Sequence, residues 1–202
     1  MELAGLTFDA LTHQYALNGV PVPFSVTGIL KAAGYIDFQA VPLAVLLAGR
    51  DRGRRVHTAI ALALEDDLEW TTIEEDEAPY VRAALAAIDT LHLRATGIEQ
   101  LVYHAAYGYA GCVDLIAQDD RGRAVVLDWK TGDPADVAAD LQLAGYHLGL
   151  STNGFPNSAR RIGVQLDRDG DFHLSQYDNP ADYTAFLAAV AHVSHLRQRG
   201  RI

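Results

Sequence analysis

The sequence contains one cysteine, Cys112, which excludes an internal disulfide, a zinc site built from four cysteines and a cysteine-ligated iron–sulfur cluster. A reducing cytoplasm is the compartment this predicts. No uninterrupted apolar stretch approaches the roughly 20 residues needed to span a bilayer, and no basic segment followed by an apolar one opens the chain. The expectation is a soluble protein with no membrane partner. Positive charge is also scarce: 16 Lys and Arg stand against 26 Asp and Glu, a net charge of −10. That balance argues against a protein that coats nucleic acid through a general basic surface. A glycine-rich phosphate loop is missing, which disfavours a phosphohydrolase of small nucleotides. There is no internal repeat, low-complexity tract or long linker. Lysine itself is nearly absent, since Lys31 and Lys130 are the only two and every other basic side chain is arginine.

What is present is enough for one domain over 1–202, because half of the 202 residues are hydrophobic and a chain of that length buries a substantial core. Residues 1–97 read as a hairpin followed by helices. Strands over 7–15 and 20–24 pair across Leu17, Asn18 and Gly19, and Ser25 or Thr27 caps a short helix. Ile60, Ala61, Leu64 and Leu68 recur at helical spacing and predict a helix from about 49 to 68, with His57 on its apolar stripe. Val81, Leu85, Ile88 and Leu91 predict a further helix over 78–94.

From 98 to 152 the composition shifts to β-branched and aromatic residues. Strands are predicted over 98–104, 109–118 and 124–129, the last two antiparallel across the turn Asp119-Asp120-Arg121-Gly122. A helix follows, with Asp133 as N-cap and Pro134 at its first position, ending near Leu150. The final part, 160–202, reads as a hairpin (161–166 and 172–177, turning at 167–170) and a helix over 180–197. The whole is an α/β domain, a mixed sheet flanked by helices.

The chemistry gathers around Lys130. Lysine acts as a compact point charge and gives up a proton, which arginine does not. Asp128 and Lys130 are two apart in a strand and share a face, and the turn brings Asp114 alongside on the neighbouring strand. Two carboxylates and a lysine then converge, a ligand type that suits Mg²⁺ or Mn²⁺. Singly each residue has an ordinary structural reading: a solvated charge pair, a core histidine at His57, a packed tyrosine at Tyr146 one turn from Gln142. The arginines Arg50, Arg52, Arg54 and Arg55 read as a solvated helix entry, although cations near a helix N-terminus oppose its dipole.

As an ordered set the residues are more specific. Gly53-Arg54-Arg55-Val56-His57, Glu99, Gly111-Cys112-Val113-Asp114, Asp128-Trp129-Lys130-Thr131-Gly132 and Gln142-Leu143-Ala144-Gly145-Tyr146 together resemble the PD-(D/E)xK nuclease superfamily, in its RecB-like and phage exonuclease-like branch. Val precedes Asp114 where the pattern has Pro, and Asp128 stands where Glu is frequent. The resemblance implies a restriction-endonuclease-like core and a Mg²⁺- or Mn²⁺-dependent DNA exonuclease. Asp114 and Asp128 would be metal ligands, with His57 and the backbone carbonyl of Trp129 completing the set, and Glu99 an acidic ligand or water partner. Lys130 would orient or polarise the attacking water. Gln142 and Tyr146 would position the scissile phosphate, and Arg50, Arg52, Arg54 and Arg55 would hold the DNA backbone. The cellular setting implied is DNA recombination, repair or phage DNA processing, with a recombinase or annealing protein as partner and a homo-oligomer as assembly. The competing class is a catalytically silent adaptor of the same fold that binds DNA ends or a protein. The acidic stretch 65–77 reads as a solvated loop, with a gate that repels the wrong strand as the alternative.

Overall fold

The β-branched and aromatic centre of the sequence becomes the middle of a sheet. The computed structural model describes residues 4–10, 12–132 and 138–202. In chain order it runs β1 (Leu6–Asp9), β2 (Gln14–Leu17), β3 (Val20–Pro21), β4 (Phe24–Ser25), α1 (Val26–Ala32), α2 (Leu43–Leu64) and α3 (Ala78–Thr90). It continues with β5 (Arg94–His104), β6 (Tyr109–Gln118), β7 (Ala124–Lys130), α4 (Ala139–Ser151), β8 (Arg160–Leu166), β9 (Phe172–Gln176) and α5 (Ala181–Gln198). Strands β1 to β3 form a small meander, and the others form a six-stranded sheet in the order β4-β6-β7-β8-β9, with β5 also paired to β6. The β4/β6 and β7/β8 pairs are parallel and the remainder antiparallel. Helix α4 supplies the crossover that parallel β7 and β8 require.

Each sheet face is covered. On one side α1, α4 and α5 bury Ile29, Leu143, Phe186 and Val190 with Val113 and Val126 of the sheet. On the other, α2 and α3 bury Ile60, Val81 and Ala84 with Leu115, Leu127 and Trp129. This is the mixed α/β fold expected, a mixed sheet between helices. Among the described residues no helix is long and apolar enough to cross a membrane.

Strand β6 carries a gap that becomes the site. Along one edge it pairs with β5 from Tyr109 to Gln118. Along the other, β4 pairs only with Tyr109 and Ala110, and β7 only from Leu115 onward. The intervening edge, 111–114, has no strand beside it among the described residues. Side-chain alternation also breaks there, since Val113 packs on the α4 side and Leu115 on the α2 side, whereas residues two apart in a regular strand share a face. Opposite this break, Glu99 of β5 takes a left-handed conformation with φ 46.

Several boundaries differ from those read in the sequence, each for a local reason. The strand expected over 7–15 is a hairpin, because Asp9 Oδ2 accepts a 2.6 Å bond from Thr12 Oγ1 and turns the chain, with His13 at φ 57. The Asn18-Gly19 turn holds as expected and joins β2 to β3, both residues having positive φ. Helix α2 begins two turns earlier than expected and stops at Leu64, where Asp66 is left-handed and Asp67 N–H returns to Leu62 O. Helix α3 ends at Thr90 rather than 94, since His92 is left-handed and the chain enters β5 at Arg94. Ser25 caps α1 through a 3.0 Å bond from Gly28 N–H. The expected cap at Asp133 and Pro134 lies outside the described residues.

Candidate active site

Asp114 stands where the β6/β7 ladder ends. Its Oδ2 accepts a 2.7 Å bond from Trp129 N–H and so replaces the next rung. The carboxylate is thereby fixed by a backbone donor, while the Trp129 ring is sunk in the α2-side core at 2% exposure. Its Oδ1 lies 3.4 Å from His57 Nδ1, which α2 lowers over the sheet. Gly53, one turn earlier on the same helix, lies beside Thr131, where a Cβ would make only an ordinary contact at 3.4 Å with Thr131 Oγ1.

Lys130 lies on β7 and faces the α4 side. Its Nζ is 2.8 Å from Asp128 Oδ2 and donates a 2.6 Å bond to Gln142 Oε1. Gln142 Nε2 in turn donates 2.8 Å to Tyr146 Oη, one turn along α4. Asp128, Lys130, Gln142 and Tyr146 are therefore one connected chain, three of them buried and Lys130 partly exposed. Gly111 makes the chain fit, because a Cβ on it would come 2.7 Å from the Tyr146 ring. Burial pushes the Tyr146 phenol well above its usual range, and Asp128 and Asp114 add to this, so it stays a neutral donor.

A ring nitrogen of His57, a Glu99 oxygen and an Asp114 oxygen all lie within 4.8 Å of one another. Burial alone would lower the His57 imidazole, but Asp114, with Asp128 and Glu99 behind it, outweighs this and raises it to about 9. Burial, then Asp114, raises the Glu99 carboxyl. Burial also raises Asp128, to about 6, with Lys130 opposing. Glu99 and Asp114, crowded into one gap in the sheet, disfavour each other's ionised form, and the positive charge of His57 offsets this. The donor chemistry fits a hard divalent ion, two carboxylates and one imidazole. A further buried carboxylate stands beside them, Asp128, whose Oδ2 is engaged by the Lys130 ammonium at 2.8 Å. Asp128 is not one of the three residues His57, Glu99 and Asp114 that the fold draws together; its carboxylate is paired with Lys130.

The structure sorts the four arginines by flank of α2. Arg55 is engaged with Glu77, which is 4% exposed, and Arg52 donates to Thr131 O while its guanidinium lies over the Tyr80 ring. These two face α3. Arg50 and Arg54 are exposed on the other flank, Arg54 with only a 3.2 Å surface pair to Asp51. Two neighbours of the site escaped the sequence reading. Cys112 Sγ donates to Glu99 Oε2 at 3.2 Å, and Tyr15 of the meander is buried close enough for Cys112, Glu99 and Asp114 to reinforce burial in raising its phenol. The hairpin that carries Tyr15 was legible; its return over β6 depends on tertiary packing with Ala110.

Residues 43–200 match the family model of the PD-(D/E)XK nuclease superfamily. No curated protein matches the chain. Among solved structures, a candidate exonuclease from Eubacterium rectale is similar at 11% identity and a TM-score of 0.48, over 89% of this chain and 76% of that one. An alkaline exonuclease from Laribacter hongkongensis, LHK-Exo, is similar at 13% identity and a TM-score of 0.31, over 85% of this chain and 91% of that one. The same exonuclease in complex with dAMP gives 12% identity and a TM-score of 0.35, over 88% and 92%.

Proposed function

Since the chain belongs to the PD-(D/E)XK nuclease superfamily, we propose that it is a Mg²⁺- or Mn²⁺-dependent deoxyribonuclease that works as an exonuclease. The observation that carries this reading is the gap in β6, where the His57, Glu99 and Asp114 donors meet the Asp128–Lys130–Gln142–Tyr146 chain. His57, Glu99 and Asp114 would hold the metal, with Asp128 beside them. When bound, such an ion lowers the pKa of water and neutralises charge on a phosphate.

The protein's own groups do the rest. Lys130 is held by Asp128 on one side and Gln142 on the other, so its ammonium is aimed at one place, where it orients the attacking water and steadies negative charge. Gln142 and Tyr146 offer polar atoms at the same spot and position the phosphate. The backbone bond from Trp129 fixes Asp114 before substrate arrives. Asp128 holds Lys130 in place. Exonuclease rather than endonuclease action, DNA recombination, repair or phage DNA processing as the setting, and a recombinase partner or homo-oligomeric assembly follow the resemblance of the motifs to the RecB-like and phage exonuclease-like branch.

End-labelled linear DNA and a covalently closed circle, incubated with Mg²⁺, Mn²⁺ or EDTA, test the reading. The linear DNA is expected to be lost in a metal-dependent way and the circle to survive. Lys130→Ala is expected to slow this by about 10²–10⁴-fold, with its circular dichroism and Mn²⁺ binding unchanged. Cutting of the circle would make the enzyme an endonuclease, and full turnover in Lys130→Ala would remove the role given to the lysine.

A further inference from the structure

Helix α2 is 22 residues long, yet its buried residues are Val56, Ala59 and Ile60. The first two turns stand clear of the core, and they are apolar: Leu43 is 69% exposed, Val45 60% and Leu47 46%. Exposed Tyr35, Phe38 and Val41 precede them. Contiguous exposed apolar side chains of this kind mark a binding surface more often than they mark chance.

The helical repeat arranges them. At 3.6 residues per turn, Leu43, Leu47, Arg50, Arg54 and His57 fall within a stripe about 80° wide, and the rise from Leu43 to His57 is about 21 Å. Arg52 and Arg55, with Val45, fall on the other flank, where Glu77 and Tyr80 already engage the two arginines. The stripe thus starts at a member of the candidate metal site, passes two exposed guanidinium groups and ends on two exposed leucines. Cations nearest the site with apolar groups beyond them suit a strand whose phosphates and unpaired base faces are both open. A duplex hides its base faces, so the leucines would gain nothing from it. The chain is otherwise acidic, so Arg50 and Arg54, the latter in an exposed 3.2 Å pair with Asp51, supply the positive charge of this stripe.

We infer that the free half of α2 is a track for single-stranded DNA, which leads several unpaired nucleotides to or from the scissile phosphate. Arg54 and Arg50 hold phosphates, and Leu47 and Leu43 pack against bases. The substrate class is DNA with a single-stranded end or overhang. This rests on the nuclease reading for the direction of the track but not for its existence.

Fluorescence anisotropy with labelled single-stranded and blunt duplex oligonucleotides in Ca²⁺ or EDTA reads binding without turnover. Leu43→Gln/Leu47→Gln, both at exposed sites, is expected to weaken single-strand binding at least about fivefold and leave blunt-duplex binding unchanged. Arg50→Gln/Arg54→Gln is expected to flatten the salt dependence of single-strand binding by about 1.4 in log–log slope. Val45→Gln, on the opposite flank, is expected to do neither. Equal losses for single strand and duplex, no loss with the leucine pair, or a concentration-dependent dimer dispersed by that pair in sedimentation would overturn the track. Intact single-strand binding through the stripe in a protein that cleaves nothing would instead leave the track standing and remove the nuclease reading.

Discussion

Asp128 illustrates how a reactive position departs from what stability alone would select. Its side chain is 3% exposed and burial lifts its pKa from 3.8 to about 6. A carboxyl whose folded pKa exceeds its unfolded one holds its proton longer in the folded state. Ionising it therefore costs folding stability: nothing below pH 3.8, a growing amount from there to about 6, and the full amount above. The interval between 3.8 and about 6 corresponds to about 3 kcal/mol. Asp128→Asn is accordingly expected to stabilise the metal-free protein by up to about 3 kcal/mol at pH 7 and above, and by almost nothing at pH 4, while cleavage is lost. Urea unfolding at the two pH values in EDTA measures it. A variant less stable than the native chain at pH 7 would mean that the Lys130 pair outweighs the burial of Asp128. Asp114 differs from Asp128 in being anchored by a backbone N–H from Trp129, which is why two acids in adjacent strands play unlike parts.

Among the elements, the β6/β7 hairpin sets the distance between Asp114 and Asp128, and Asp119 pins its turn. The carboxylate accepts bonds from the N–H groups of Arg121 and Arg123 at 3.0 and 2.9 Å and from Arg123 Nε at 2.7 Å. Burial works to raise its pKa, but these bonds, those of Arg123 first, outweigh it and hold it below 3.8. A depressed folded pKa contributes stability that is complete above 3.8 and lost as pH falls through the lower folded value. Asp119→Asn is thus expected to lower the melting temperature at pH 7, with the gap to the native chain closing as pH falls from 5 towards 3. Parallel melts across that range decide it. This turn was legible in the sequence because Asp-Asp-Arg-Gly carries its own geometry, with Gly122 at φ 73. So were β6, β7 and the pairing of Asp128 with Lys130, which depend on a period of two. The start of α2 was not, because Leu43, Val45 and Leu47 face solvent and periodicity detects only residues that face a core. The left-handed Glu99 and the splayed edge of β6 were also hidden, since each is imposed by neighbours distant in the chain.

At the scale of the whole molecule, a net charge of −10 has to be reconciled with a polyanionic substrate. The structure separates the charges across α2. Glu69, Glu74 and Glu75 are exposed in the segment that leads into α3, the flank of Arg52 and Arg55, whereas Arg50, Arg54 and His57 lie on the other. A separation of this kind leaves a general repulsion that acts at long range and a local attraction that acts at contact. With a Debye length of about 8 Å at physiological salt, the repulsion is mostly screened, and at low salt it is not. Glu69→Gln/Glu74→Gln/Glu75→Gln removes three exposed charges that are not part of the candidate metal site. It is expected to raise the association rate for single-stranded DNA several-fold at about 20 mM salt and to leave it unchanged near 0.3 M. The turnover number should not move at either salt, because these carboxylates touch nothing that reacts. Stopped-flow anisotropy beside a saturating-substrate assay separates the two quantities. A changed turnover number would make the acidic stretch a gate that controls the chemistry, while a rate increase that persisted at high salt would place those glutamates in direct contact with the bound strand.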